Sequence, residues 1–179
     1  MKHFPVLWYR IALEQAGCIK ASGNVSDSVL EVVICEGKAA LKAHKQLFTM
    51  NEACYRMADG DILGAVSSSL NEDLTKLHIA AGWEAMLQVA LWTSRRPLLI
   101  DVLGLLKKVG ISEAELLPFR SADINDIFPW LYYGKRFETL RKIANRARAK
   151  AESALEKKKL LVYCHLVAED TGQIVASSL

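Results

Sequence analysis

Residues 72–93 set the terms for any fold of this chain. Asp73, Lys76, Glu84 and Gln88 fall near one narrow stripe of a helical wheel, while Leu74, Leu77, Ile79, Ala81, Trp83, Met86, Val89 and Trp92 cover the rest. A helix that is apolar around most of its circumference lies inside its domain. Asn71 stands where an N-cap would start it. The pattern predicts one buried central helix, Glu72 to about Thr93, with the other elements arranged around it.

Helix signals recur on both sides. Pro5 suits a first helical turn, and the helix it opens runs to about Gln15 and stops at Gly17; Ala21 to Asp27 reads as a loop. Ser28 with Glu31, Thr49 with Glu52, and Ser112 with Glu115 share the capping-box spacing. The first pair is read as opening a helix to about Leu47. The β-branched run Val29 to Cys35, followed by Glu36-Gly37, also fits a strand and turn. Ile62 to Leu70 is a weak helix, and Pro97 opens another that Gly110 closes. The last long helix starts near Asn125 or Asp126 with Pro129 in its first turn, breaks at Gly134, and resumes from Lys135 to about Lys158. Beyond it, Leu161–Val167 and Gln173–Ala176 are β-like around Asp170-Thr171-Gly172; alternatively the helix continues to Ala168 and the tail is loose.

The expected fold is therefore all-α: a single-domain multi-helix bundle with a long basic C-terminal helix and a short hairpin or loose tail at the C-terminus. Residues 1–134 form the helical core, and residues 135–179 form the basic helix and tail, packed on or extending from the same domain. A length of 179 residues with 51% apolar content supports a core without disulfides or metals. Charged residues at 24% exclude a disordered chain.

Cys18, Cys35, Cys54 and Cys164 form no C-x-x-C pair, and Arg10 and Glu14 interrupt the only stretch resembling a secretory signal. The longest uncharged apolar run, Leu160 to Ala168, is half of what spans a bilayer. These features predict a cytoplasmic protein with reduced thiols and no membrane partner.

Charge is unevenly distributed. Residues 135–159 hold ten basic and three acidic side chains, a local charge of +7, while the rest of the chain carries −4. A basic helix on a mildly acidic body attracts phosphate backbones. The expected nucleic-acid contacts are Lys135, Arg136, Arg141, Lys142, Arg146, Arg148 and Lys150. The same helix carries a heptad seam, Trp130, Tyr133, Phe137, Leu140, Ala144, Ala147, Ala151 and Ala154. Its alanine half invites a second helix. Trp130, Tyr133, Phe137, Ala144, Ala147 and Ala151 are thus the expected surface for an acidic protein partner or for self-association into a homo-oligomer.

Motifs for chemistry are absent. There is no phosphate-binding glycine loop, no H-E-x-x-H and no histidine pair at i, i+4 spacing. His3, His44, His78 and His165 are scattered, and Cys164-His165 are adjacent and so point apart. The paired carboxylates, Glu72-Asp73, Glu169-Asp170 and Glu113 with Glu115, sit at helix starts or before a turn. The sequence therefore predicts no catalytic residue, metal site or cofactor. It favours a non-enzymatic nucleic-acid-binding accessory or regulatory protein, with a helical adaptor within a larger complex as the alternative and an enzyme of unrecognised type behind both.

Overall fold

The computed structural model describes residues 30–178. The expected first helix, the loop after it and Ser28 lie outside the described residues. The chain order is β1 (Leu30–Cys35), α1 (Gly37–Leu47), a 3-10 turn (Glu52–Cys54), β2 (Tyr55–Met57), α2 (Ile62–Ser68) and β3 (Leu74–Ala81). There follow α3 (Trp83–Leu91), α4 (Leu99–Lys108), α5 (Glu113–Leu116), a 3-10 turn (Leu117–Phe119), α6 (Ile124–Tyr133), α7 (Phe137–Leu155), β4 (Leu161–Ala168) and β5 (Gln173–Ser177).

The fold is mixed α/β, which corrects the all-α expectation. Among the described residues, five strands form one sheet in the order β2-β1-β3-β4-β5. The pairs β1–β2, β1–β3 and β3–β4 are parallel, and only β5 runs antiparallel to its neighbour. Parallel neighbours need crossover connections. Here α1 links β1 to β2, α2 links β2 to β3, and α3 to α7 link β3 to β4.

The central stretch shows why the helix reading failed. Leu74–Ala81 is a strand, and Gly82 marks its junction with α3. In β3, Leu77, Ile79 and Ala81 face one side of the sheet, while Lys76, His78 and Ala80 face the other. Residues 77–81 are buried on both faces, as interior parallel strands are. Such a strand is apolar in every direction, and so is the wheel of a buried helix. The second half of the stretch is helical, with Met86, Leu87 and Val89 fully buried in α3. β1 takes the strand alternative that its β-branched run allowed, so Glu31 lies in a strand instead of a capping box. Asn51 caps the 3-10 turn where Thr49 was expected to act, whereas the Ser112–Glu115 box forms with both of its bonds. β4 and β5 make the C-terminal antiparallel pair.

Two cores flank the sheet. Val32, Ile34, Leu77, Ile79, Val162, Cys164 and Leu166 pack with α2, α3, α4, α6 and α7. On the opposite face Val33, Cys35, Ala80 and Val167 pack against Ala40 and Ala43 of α1. The alanine half of the seam lies in the first core: Ala144, Ala147 and Ala151 are fully buried, with α7 against α3, β4 and β5, while Ala154 is exposed. No helix among the described residues is long and apolar enough to cross a membrane.

Candidate metal centre

Among the described residues, three buried histidines gather on the α1 face of the sheet. Strand alternation puts His78 of β3 and His165 of β4 on this face. Register pairs Tyr163 with His78 and His165 with Ala80, so the two histidines are diagonal neighbours. His44, in the last turn of α1, comes down onto them from above. His44 and His165 are wholly buried and His78 nearly so.

One ring nitrogen from each histidine lies within 4.8 Å of the other two. His44 Nε2 is 3.3 Å from His78 Nδ1, and His165 Nε2 is 3.0 Å from the same atom. Nitrogens bound to one tetrahedral zinc at about 2.0–2.1 Å stand roughly 3.3–3.4 Å apart. Two of the three separations are therefore close to ligand spacing, and the third lies within 4.8 Å.

The outward nitrogens are held as well. His78 Nε2 donates to Glu31 Oε1 at 2.9 Å. His165 Nδ1 lies 2.9 Å from Ser177 Oγ, and His44 Nδ1 lies 3.2 Å from Tyr55 Oη. Oxygen partners on the far nitrogens fix ring orientation and tautomer, as they do around bound metals. Phe48 and Tyr163 pack their rings against the cluster.

The inner nitrogens form a donor set for a cation. An ionised carboxylate only accepts, so Glu31 keeps a proton on His78 Nε2 and turns Nδ1 toward the other two rings. The Nε2 atoms of His44 and His165 both converge on that atom, and where Tyr55 and Ser177 accept from the Nδ1–H groups their lone pairs face it. Burial sets the charge state of these two rings. Burial, followed by the neighbouring His78 charge, pushes His44 down to about 4. Burial, then His78 and His44, pushes His165 down to about 3. Both imidazoles are thus neutral at physiological pH, the form that ligates. The hydrogen bond from His78, helped by the charges of His78 and Lys76 and opposed by burial, holds Glu31 below the usual carboxylate range. Lys76 Nζ stands 3.8 Å from Glu31 Oε1.

The residues singled out from charge lie elsewhere. Arg141 pairs with Glu138 through two guanidinium nitrogens, and Arg148 pairs with Glu152 while donating to the Ser178 carbonyl. Arg136 bonds Glu115 and lies over the Trp130 ring. Lys142 donates to the Val109 carbonyl. Lys135 is exposed, and Arg146 and Lys150 line a cleft with Lys108 and Asp101. Tyr133 and Phe137 are exposed. α7 packs on the sheet face opposite the histidines.

No protein-family model and no curated protein matches the chain. A solved structure that does match is a Coccomyxa β-carbonic anhydrase in complex with acetazolamide. It is 10% identical, with 94% of this chain and 80% of that chain covered and a TM-score of 0.37. That likeness is too slight to carry an argument about fold or function.

The three-histidine site overturns the reading of the chain as a non-enzymatic nucleic-acid binder. It likewise stands against the expectation that the chain is not an enzyme. Sequence reasoning missed the site because its ligands stand 34 and 87 residues apart, outside the reach of any local motif. One signal was available. His78 and His165 each sit within a run of apolar residues, where an imidazole is costly unless its nitrogens are used.

Proposed function

We propose that the chain is a metalloenzyme in which His44, His78 and His165 hold a divalent transition-metal ion, with Zn2+ the ion that best fits the donors. The convergence of three buried ring nitrogens carries this reading. Imidazole suits zinc and its first-row neighbours, whereas calcium and magnesium take oxygen. Three protein ligands leave a tetrahedral ion one position for water or substrate, the pattern of catalytic zinc. A divalent ion held by three imidazoles, none of them anionic, would supply Lewis-acid chemistry at that position. The reaction class that follows is attack by activated water on an electrophilic carbon, that is, hydration or hydrolysis. The protein's own residues supply orientation: Glu31, Tyr55 and Ser177 hold the three rings, and Phe48 and Tyr163 pack against them.

The full chain should bind one equivalent of Zn2+ after chelator treatment and reloading, measured by elemental analysis. The Co2+-loaded form should show the intense visible bands of a tetrahedral site, and azide should shift them by taking the open position. Hydrolysis of an activated aryl ester should follow metal occupancy. Zn2+ bound as tightly by the His44→Ala and His165→Ala variants as by the wild type would refute the centre. Tight metal binding with no azide response would refute the catalytic half.

A further inference from the structure

The pair Glu169-Asp170, which the metal centre does not use, lines a separate cleft of about 570 Å3. This cleft lies just outside the carboxyl ends of β3 and β4. Trp83 begins α3 directly after β3, Val167 is near the end of β4, and Glu169 and Asp170 follow it. Open α/β sheets bind ligands outside the carboxyl ends of their strands, and the volume falls within the range of small-molecule sites.

The walls divide by chemistry. Trp83, Phe128, Pro129 and Tyr133 give an aromatic and apolar lining. The Trp83 ring is fixed, since its indole N–H donates to the Ile124 carbonyl at 2.8 Å and the ring packs against Phe128. A preformed apolar wall of this kind binds without an ordering cost. Glu84, Glu169 and Asp170 supply three carboxylates, and no basic residue among the described ones lines the cleft. Arg96 offsets Glu84. Asp170 accepts only from the Tyr133 hydroxyl and the Thr171 N–H, and Glu169 has no ion-pair or hydrogen-bond partner among the described residues. Gly82 makes room for Glu169: a Cβ there would stand 1.9 Å from Glu169 Oε1.

We infer that this cleft binds a small organic ammonium ion, its apolar body against Trp83 and Phe128 and its charge against Glu169 and Asp170. Aromatic rings and carboxylates together recognise such cations, because the ring faces and the anions attract the same charge. The inference is independent of the metal centre, which lies on the α1 face of the sheet.

Choline and its uncharged isostere 3,3-dimethyl-1-butanol separate charge from shape. Each is titrated into the full chain while the Trp83 indole N–H resonance is followed. Choline should shift that resonance saturably, and the neutral alcohol should bind at least about tenfold more weakly, the worth of one charged contact. Glu169→Gln combined with Asp170→Asn should remove that preference while the rest of the spectrum stays unchanged. Equal binding of the two probes would show that the carboxylates do nothing and overturn the proposal. So would no response to choline, or a preference that survives in the double variant.

Discussion

The Glu31 carboxylate determines which nitrogen of His78 faces the other two imidazoles. Removing it leaves the ring free to turn and less basic. Glu31→Ala should weaken Zn2+ binding roughly ten- to hundredfold, the usual effect of losing an outer partner of a metal-bound histidine. Competition with a chromophoric chelator measures this, and an unchanged affinity would remove Glu31 from any positioning role. A second single-residue consequence concerns Cys35, a fully buried thiol beneath α1. Burial pushes it up to about 12, against a smaller opposing effect of Lys45. Because the folded value is raised, the stability it contributes is complete below the ordinary thiol range and is lost as pH climbs toward 12. At pH 8 the thiol is protonated and shielded, so iodoacetamide should spare Cys35 in the native protein and label it after denaturation. Peptide mapping by mass spectrometry reads this directly, and rapid native labelling would contradict the packing described for β1.

At the scale of elements, α7 shows how a pattern can be read correctly and its neighbour missed. The seam of Leu140, Ala144, Ala147 and Ala151 was visible as a small-residue stripe, and these residues are buried. The stripe alone suggests a second helix from a partner or another copy, whereas its actual neighbours, α3, β4 and β5, come together only through the sheet. Alanines let α7 lie close to α3, β4 and β5. Ala147→Glu would force a carboxylate into that contact without a partner. It should destabilise the fold by roughly 3 kcal/mol or more, and chemical denaturation checks the value. A near-neutral effect would mean that α7 sits further from the sheet. The same limit governed the candidate site. Helix caps such as Ser112–Glu115 are local in sequence and were legible. β3 was not, since a strand buried on both faces loses the alternation that identifies it. With β3 misread, nothing could place His78 beside His165, because that neighbourhood exists only through strand register. Charge along α7 was legible too, but its pairing with Glu115, Glu138 and Glu152 required the folded geometry.

For the molecule as a whole, a metal that binds only the native state raises its stability by mass action. Zn2+ at one hundred times its dissociation constant adds about 2.7 kcal/mol. In a domain of this size that corresponds to a rise in Tm of roughly 5–11 °C. Calorimetry with and without Zn2+ should show the rise in the wild type and none in the His44→Ala variant; equal shifts in both would mean that the ion acts elsewhere. The spacing of the three ligands also says when the ion can arrive. His44 comes from α1, while His165 belongs to β4, on the far side of α2 to α7. A nascent chain therefore lacks the third donor until β4 has left the ribosome. The first two meet only after β1 and β3 have paired, and closing such long loops has an entropic cost. Only a chain that extends through β4 offers all three donors at once, so a ribosome-stalled fragment ending before β4 should hold Zn2+ far more weakly than one that includes it.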